Sequence, residues 1–152
     1  PWGRPDMVLF KFVKNILNNK PIELFNFGNH YRDFTYIDDV VESVVRLVNK
    51  PATAIEEFDT ALPDAGLSNV PWRIFNIGNG QPTPLMDYIS ALEQALGIQA
   101  EKNFVEMQPG DVLMTSADTS RLSSWVGFKP YTPVKEGVKN FVDWYQQTFN
   151  TI

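Results

Sequence analysis

The sequence predicts an α/β fold, because segments with the pattern of short strands alternate with segments that have the pattern of amphipathic helices. The 152 residues are enough for one domain with a sizeable core. Hydrophobic residues make up 43% of the chain, which is too much for a disordered protein. The predicted strands are short and widely separated, so they need not all belong to one sheet.

The first predicted elements are a helix and two strands. From Asp6 to about Asn18, apolar residues recur every three or four positions, which predicts an amphipathic helix with Asp6 as its N-cap. A β-favouring run starts at Ile22 and stops at Gly28-Asn29, which predicts a strand and a turn. A second strand is predicted over residues 33–37.

A second helix is predicted to begin at Asp38 or Asp39, since either can cap it. Glu42 and Arg46 are four residues apart and are expected to form an exposed ion pair. The valines of this helix are expected to face inward: Val40, Val41, Val44, Val45 and Val48. Residues 51–71 are rich in proline and small or acidic residues without a steady period, which predicts a surface excursion.

A compact apolar strand is predicted over Arg73–Ile77 and is ended by Gly78-Asn79-Gly80. Thr83 is the expected N-cap of the next helix, with Pro84 as its first residue, and this helix should end near Leu96, before Gly97.

The last quarter of the chain predicts one strand and two helices. The strand lies near residues 103–106, and a short helix runs from Asp118 or Thr119 through Trp125. Thr132-Pro133 starts a longer helix that runs to about Phe149. Its expected buried stripe consists of Val134, Val138, Phe141, Val142 and Tyr145.

Charge and composition argue against several classes of function. The formal net charge is -5 without a basic run, so a nucleic-acid partner is not expected. The absence of cysteine and the single histidine, His30, argue against a disulfide framework or a zinc site. No apolar stretch approaches the roughly 18 residues that span a bilayer, and no signal pattern opens the chain, so a cytoplasmic protein without a membrane partner is expected.

Three apparent catalytic motifs are weak on inspection. Gly78-Asn79-Gly80 lies between a strand and a helix, as a dinucleotide loop would, but Pro82 and Thr83 stand where the motif should continue, so a tight turn is expected. Tyr131 and Lys135 have the Tyr-x-x-x-Lys spacing of short-chain dehydrogenases, but the proline between them places Tyr131 before the helix. His30 reads as an exposed turn histidine.

Two charged residues can bind a ligand, although the local pattern leaves the plainer interpretation open. Arg32 lies at the mouth of a strand, from which a guanidinium can reach a phosphate, or it is a surface residue paired with Asp33. Asp111 follows a Gln108-Pro109-Gly110 turn. Its carboxylate can accept hydrogen bonds from two ribose hydroxyls, or it is an ordinary turn aspartate.

Four motifs in order carry a resemblance to a known family. They are Pro1-Trp2-Gly3-Arg4-Pro5-Asp6-Met7, Arg32-Asp33-Phe34-Thr35-Tyr36-Ile37-Asp38-Asp39, Phe75-Asn76-Ile77-Gly78-Asn79 and Gln108-Pro109-Gly110-Asp111-Val112. Together they resemble the nucleotide-sugar epimerases of the extended short-chain dehydrogenase/reductase group, and most closely the UDP-glucuronate 4-epimerases. The resemblance extends from Pro1 to the last helix.

The resemblance implies that residues 1–152 are the C-terminal, nucleotide-sugar-binding region of such an enzyme, without its amino-terminal Rossmann half. In this family the cofactor is NAD, and a Tyr-x-x-x-Lys pair in the missing half handles the proton of the sugar 4-hydroxyl. The chain alone is therefore expected to bind but not to catalyse. Strands that normally join the sheet of the missing half, or its margin, are expected to expose an apolar patch.

The resemblance also assigns roles to individual residues. Arg32 would contact the diphosphate and Asp111 the uridine ribose, while the backbone around Glu23 and Phe25 would meet the uracil. Arg4 would hold the sugar carboxylate, with Met7 in the same pocket. Gln108 stands where hexose epimerases often have arginine, which weakens its assignment as a diphosphate ligand.

The implied partner is a UDP-sugar, either UDP-glucuronate or UDP-galacturonate, and the implied assembly is a homodimer. Two alternatives stay open on the sequence. The same scaffold serves 4,6-dehydratases and decarboxylases of nucleotide sugars, and the chain could be a non-catalytic binding domain.

Overall fold

A computed structural model of the chain describes residues 7–56 and 58–149. These residues form α-helices and short β-strands, with the strands paired in two separate two-stranded sheets. In chain order the elements are α1 (Val8–Leu17), β1 (Ile22–Leu24), β2 (Tyr31–Arg32), α2 (Ile37–Asn49), β3 (Thr83–Pro84), α3 (Leu85–Leu96), β4 (Lys102–Phe104), α4 (Ser120–Val126) and α5 (Val134–Phe149). The predicted α/β class is confirmed, as is the expectation that the strands do not share one sheet.

The described residues divide into two compact units. The first unit contains those up to Arg32, those in Pro82–Thr115 and those from Pro133 onward. The second unit contains those in Asp33–Gln81 and in Ser116–Thr132. Each unit therefore joins segments that are far apart in the sequence.

The core of the first unit is built by α1, α3 and α5 with the parallel pair of β1 and β4. Helix α1 packs on β1, and α3 packs along α5. At most 2% of each of the following side chains is exposed: Val13, Ile16, Ile22, Leu24, Ile89, Leu92 and Val142. The burial of each of these side chains contributes about 1.5–3 kcal/mol to the stability of the fold, before the loss of conformational entropy is counted.

An aromatic cluster fastens α1 to α5. The Phe10 ring meets Phe141 edge-on, with ring centroids 5.0 Å apart, and meets Trp144 at 5.9 Å. Edge-to-face geometry is favourable because the positive edge of one ring meets the negative face of the other. The predicted buried stripe of α5 is confirmed at Val138, Val142 and Tyr145, whereas Val134 and Phe141 are only half-buried.

Several predicted helix starts differ from the structure. Helix α2 begins at Ile37 with Tyr36 at the N-cap position, so neither Asp38 nor Asp39 caps it. Helix α1 begins at Val8 with Met7 at the N-cap position, and the predicted cap Asp6 lies outside the described residues. Thr83 and Pro84 pair with Arg32 and Tyr31 as β3, so α3 begins one residue later than expected, at Leu85. The predicted end of α3 is confirmed at Gly97.

A buried ion pair links α3 to the start of β4. The Glu93 carboxylate is 9% exposed and accepts hydrogen bonds from Lys102 Nζ at 2.5 Å and from the Ala100 amide at 2.9 Å. Burial by itself would raise the pKa of Glu93, but these two hydrogen bonds and the Lys102 charge together lower it below its ordinary value of 4.5. The ionised carboxylate is therefore the form that stabilises the fold.

Replacing Glu93 with glutamine is expected to lower the free energy of unfolding at pH 7 by about 1.5–3 kcal/mol, because Lys102 loses a charged partner. A carboxyl whose native pKa is lowered contributes fully above its unfolded value of 4.5 and loses that contribution as the pH falls through the native pKa. The difference between the wild type and the variant should therefore shrink below about pH 4.5. Urea unfolding from pH 7 to pH 3 measures it.

Asp143 provides the control for this experiment. It pairs with Lys139 four residues away on the exposed face of α5, and 67% of the Lys139 side chain is exposed. Replacing Asp143 with asparagine should change stability by less than about 0.5 kcal/mol. An equal loss in both variants, or a Glu93→Gln loss that does not depend on pH, would contradict the role given to Glu93.

Helix α2 of the second unit presents the opposite face to the one expected. Its buried residues are Asp39 and Ser43. Its valines are largely exposed, with Val41 51%, Val44 45%, Val45 48% and Val48 74% accessible, and Ile37 is 61% accessible. The expectation that the valines face inward is therefore wrong for Val41, Val44, Val45 and Val48, which form an exposed apolar face on α2. Val40 is half-buried. The predicted Glu42–Arg46 pair is confirmed at 2.6 Å.

The polar face of α2 turns inward because its side chains satisfy backbone groups of a distant segment. Asp39 Oδ2 accepts hydrogen bonds from the amides of Tyr131 at 3.2 Å and Thr132 at 2.9 Å. The Arg46 guanidinium lies 4.9 Å from the centroid of the Phe128 ring. These contacts need a carboxylate and a cation, which the valine face cannot supply.

Residues 33–36 form an irregular segment instead of the predicted strand. The Asp33 carboxylate accepts hydrogen bonds from the Gly80 amide at 3.0 Å and from the Ala117 amide at 2.9 Å. The Asp33 side chain thus links the loop at Gly80 to the loop at Ala117, and α2 begins at Ile37. The predicted strand over 33–37 is therefore wrong, because the side chain of Asp33 and not its backbone makes these links.

The predicted strand at Arg73–Ile77 is also absent. Arg73 forms one isolated bridge with Leu67, and its guanidinium lies 4.3 Å from the centroid of the Trp125 ring. Ile74 is half exposed. An apolar run becomes a strand only when a neighbouring strand takes up its backbone groups, and the described residues of the second unit supply none.

The predicted surface excursion at 51–71 has neither helix nor strand in its described residues, and most of them are exposed. Across all described residues, no helix is both long and apolar enough to cross a membrane.

Candidate functional site

Arg32 and Asp111, the two charged residues predicted to bind a ligand, lie together in the first unit. Arg32 Nη2 donates a hydrogen bond to Asp111 Oδ1 at 2.9 Å. Arg32 Nη1 donates to the carbonyls of Tyr31 at 3.0 Å and Leu113 at 3.3 Å. About a quarter of each charged side chain is exposed. The structure thus gives Arg32 a partner 79 residues away and not the neighbouring Asp33 of the plainer interpretation.

The predicted turn at residues 108–111 fixes the Asp111 carboxylate. The Asp111 amide donates to the Gln108 carbonyl at 3.2 Å, and Gly110 has φ of 83°. Proline at the second position and a left-handed glycine at the third are typical of a type II turn. The Val112 amide then donates to Asp111 Oδ1 at 2.8 Å. The carboxylate is held by a backbone group as well as by Arg32.

His30 is buried, so its interpretation as an exposed turn histidine is wrong. Only 4% of the residue is accessible, and its Nε2 lies 3.4 Å from Asp111 Oδ2. The Leu85 amide donates to the His30 carbonyl at 2.8 Å, which fixes the His30 backbone next to the first residue of α3. Sequence reasoning missed this neighbour of Asp111, because no local pattern relates residues 81 positions apart.

The backbone groups of Glu23 are not used in the pairing of β1 with β4. In the parallel pair, the Ile22 amide donates to the Glu101 carbonyl at 2.8 Å, and the Leu24 carbonyl accepts from the Val105 amide at 3.1 Å. Backbone groups of alternate residues point to opposite edges of a strand. Those of Glu23 therefore point away from β4, toward an edge that no other described strand occupies.

A tight reversal follows β1 and leads to the charged pair. Phe25 begins a 3₁₀ turn, and Asn26, Phe27 and Gly28 have φ of 50°, 52° and 79°. Left-handed backbone is costly for residues with a Cβ, by about 1–3 kcal/mol each at sparsely populated angles. Glycine adopts the φ of 79° at position 28 without strain, and a Cβ there would lie 2.8 Å from Met86 Sδ and displace that side chain. This turn places His30 and Arg32 directly after it.

The remaining predicted ligand residues are not joined to the charged pair in the same way. Arg4 lies outside the described residues. Met7 is half exposed at the start of α1. The Glu23 side chain lines an open groove of about 420 Å³ together with Lys11, Phe12, Asn15, Lys20, Pro21 and Asn103. Gln108 is exposed, and its contact with the site is its backbone carbonyl, which accepts a hydrogen bond from the Asp111 amide.

Neither motif that resembles a catalytic one is arranged for its chemistry. Tyr131 is 72% exposed and precedes α5, which begins at Val134, so it does not share a helix with Lys135. A Cβ on Gly78 would lie 2.6 Å from Ala117 Cβ, and the Gly80 amide already donates to Asp33. The Gly78-Asn79-Gly80 segment is a close-packed turn, as predicted, and it does not fit the phosphates of a dinucleotide.

Metal ligands are not grouped in the part of the chain that the structure describes. No cluster of three or more His, Cys, Asp or Glu residues there could hold an ion.

Comparison with known proteins connects this geometry to a family. The model of the NAD dependent epimerase/dehydratase family matches residues 1–61. Protein CapI of Staphylococcus aureus is 49% identical over 98% of this chain, and a probable UDP-glucuronate 4-epimerase of Rhizobium meliloti is 45% identical over 98%. The chain spans 45% and 44% of the length of these two relatives.

A solved structure shows the same fold. UDP-glucuronic acid 4-epimerase from Bacillus cereus, in complex with UDP-glucuronic acid and NAD, matches 97% of this chain with a TM-score of 0.77 and 30% identity. The match takes in 42% of that enzyme's chain. This chain is related to the nucleotide-sugar epimerases. The resemblance that the four motifs carry is confirmed, and so is the predicted fold class.

NAD is the cofactor of these epimerases, as the resemblance implied, since the Bacillus cereus enzyme holds it together with its sugar nucleotide. Within the described residues of this chain, the one glycine-rich turn that could be compared with a dinucleotide loop is filled by Ala117 and Asp33. This turn therefore does not fit the phosphates of NAD.

Proposed function

We propose that this chain is the substrate-binding part of an NAD-dependent nucleotide-sugar epimerase that interconverts UDP-glucuronate and UDP-galacturonate at carbon 4. The observation that carries the proposal is the pairing of Arg32 with Asp111 at 2.9 Å. This pair brings a donor for phosphate oxygens next to an acceptor for ribose hydroxyls. A nucleoside diphosphate offers both groups to a protein at close spacing.

Each member of the pair suits one part of the ligand. The Arg32 guanidinium is planar and carries parallel N–H donors, which match the oxygens of a diphosphate. An ionised Asp111 only accepts, and its two oxygens can receive both ribose hydroxyls. Backbone groups around Glu23 and Phe25 would bond the uracil edge, and those of Glu23 are left open by the pairing of β1 with β4.

The sugar end of the ligand is assigned from the resemblance alone. Arg4 would bind the uronate carboxylate, and Met7 would line the same pocket. Gln108 replaces a cationic residue of the hexose epimerases, so Arg32 would carry more of the diphosphate charge. These three assignments rest on motif positions.

In this proposal the chain supplies binding and orientation, and it is not catalytic by itself. NAD and the proton-handling tyrosine belong to a part of the protein outside these 152 residues. The protein is proposed to act as a homodimer in the cytoplasm and to supply a uronic-acid precursor for polysaccharide synthesis. The support for these last points is the similarity to UDP-glucuronate 4-epimerases.

The full-length protein, incubated with NAD and UDP-glucuronate, is expected to form UDP-galacturonate. The two sugars differ only in the direction of the 4-hydroxyl, so proton NMR of the mixture distinguishes them through the coupling constants of the sugar ring. The reaction should stop at an equilibrium mixture without net reduction of NAD.

Two other products would contradict this function. A pentose nucleotide with release of carbon dioxide would identify a decarboxylase, and a 4-keto-6-deoxy sugar from UDP-glucose would identify a dehydratase. As a control on specificity, calorimetry should show tighter binding of UDP-glucuronate than of UDP-glucose, and an Arg4→Ala variant should lose that preference. Equal affinities in the wild type would contradict the role of Arg4.

A further inference from the structure

The His30 imidazole has an unusual position for a polar group. It is 96% buried, and its Nε2 has no hydrogen-bond partner among the described residues. Buried polar atoms nearly always have a partner, and an exception in a binding site calls for an explanation. Nε2 lies 3.4 Å from Asp111 Oδ2, which is within charge-pair distance but too long for a good hydrogen bond.

Ligand binding changes what Asp111 can pair with. In the structure, Oδ1 of Asp111 receives Arg32 and the Val112 amide, while Oδ2 faces His30. Under the proposed function, Arg32 turns its Nη2 donor from Asp111 to the diphosphate. The carboxylate then loses its cation at the moment when it must hold the ribose.

We propose that His30 is a positioning residue for the nucleotide: it takes over the Asp111 carboxylate when Arg32 leaves for a diphosphate, and it binds one proton from solvent as it does so. This inference rests on the proposed function and names a residue of the same site. His30 acts through Asp111 and does not touch the reacting atoms. Its imidazolium would donate from Nε2 to Asp111 Oδ2.

The charges around the ring favour this exchange. Asp111 faces the imidazole directly, and Arg32, two residues after His30, pairs with the same carboxylate. Tyr31, the next residue along the chain, is titratable and exposed. Asp87 lies in the first turn of α3, the helix whose Leu85 amide donates to the His30 carbonyl, and it is also exposed. A carboxylate within 4 Å that loses its guanidinium stabilises a protonated imidazole. Histidine is the side chain that changes charge near neutral pH.

The test measures binding of UDP-glucuronate to the full-length protein by calorimetry at pH 6, 7 and 8. The diphosphate of this ligand is esterified at both ends, so its own charge is constant over that range. For the wild type, the affinity should fall about tenfold from pH 6 to pH 8, because up to one proton is bound with the ligand. The binding enthalpy should also depend on the ionisation enthalpy of the buffer.

Two variants separate positioning from packing. His30→Gln keeps a neutral donor and should bind at pH 8 nearly as well as the wild type, but with no dependence on pH or buffer. His30→Phe keeps ring volume without a donor and should weaken binding about tenfold at pH 6, from the loss of a charge-assisted bond. Thermal unfolding of all three proteins identifies a variant that does not fold. If His30→Phe does not fold, the pH and buffer dependence of binding by His30→Gln tests the inference.

The outcomes distinguish this inference from the function on which it rests. If the wild type does not bind UDP-glucuronate at any pH, the proposed function fails and the inference fails with it. If the wild type binds, but with the same pH and buffer dependence as His30→Gln, the inference alone is wrong. His30 would then be a packing residue beside a site that works without it.

Discussion

Replacing Arg32 with alanine is expected to weaken binding of UDP-glucuronate by the full-length protein roughly 10- to 150-fold, the loss of a hydrogen bond to a charged group. Under the proposed function, Arg32 is the cation that contacts the diphosphate, and in the structure it pairs with Asp111 at 2.9 Å. The variant removes this charge from the diphosphate. Calorimetry of wild type and variant at one ionic strength measures the change.

The control variants for Arg32 separate charge from geometry. Arg32→Lys retains the charge without the planar fork, so it should recover part of the affinity but not all of it. Lys139→Ala removes a cation from an exposed pair on α5 and should leave binding unchanged. Full affinity in Arg32→Ala would contradict the diphosphate role and leave the Arg32–Asp111 pair as a purely structural link.

Replacing Asp39 with alanine is expected to destabilise the second unit by about 2–3 kcal/mol, since two backbone amides lose a charged acceptor. Asp39 is 5% exposed and joins α2 to Tyr131 and Thr132, more than 90 residues further along the chain. Hydrogen exchange followed by mass spectrometry on peptides that contain residues 128–133 measures this local effect. Those amides should exchange roughly 30- to 150-fold faster if the segment opens with the lost free energy.

Asp38 is the matched control for Asp39, because it is the adjacent carboxylate and is exposed. Replacing it removes an acidic residue from the first turn of α2, which is worth only about 0.3–1 kcal/mol through the helix dipole. Exchange at residues 128–133 should stay at the wild-type rate. If Asp38→Ala and Asp39→Ala have equal effects, the hydrogen bonds to Tyr131 and Thr132 are not what holds this segment.

The sequence predicted well those features that depend on local physics. Helix α5 has its buried stripe where the spacing of Val138, Val142 and Tyr145 requires it, because helix periodicity alone fixes which side chains share a face. Gly97 ends α3 with φ of 68°, a conformation that glycine adopts without steric cost. The turn that carries Asp111 followed from Pro109 and Gly110 in the same way.

Features that depend on distant partners could not be predicted. The valine spacing of α2 identifies one apolar face, but it does not tell whether that face or the polar one finds a partner within the chain. Asp39 determines which face of α2 is buried, and its hydrogen-bond partners lie more than 90 residues further along the sequence. Arg73–Ile77 has the composition of a strand, yet no described strand of the second unit pairs with it. Periodicity is local, whereas burial and pairing are set by what the fold brings near.

The candidate site shows the same division. Arg32 and Asp111 could be selected through the motifs, but their mutual contact across 79 residues is a result of the fold. His30 was misinterpreted because its immediate neighbours are turn residues, and the carboxylate that it faces comes from another turn.

The pairing of Arg32 with Asp111 also affects how a ligand arrives. An arginine joined to a carboxylate has no net charge, and the chain as a whole carries -5, so no long-range field draws in a negatively charged nucleotide. Under the proposed function, the charge of this chain does not accelerate the encounter, and its repulsion of an anionic nucleotide should weaken as ionic strength rises. Tight binding at such a site would therefore come from slow dissociation of the ligand and not from fast association.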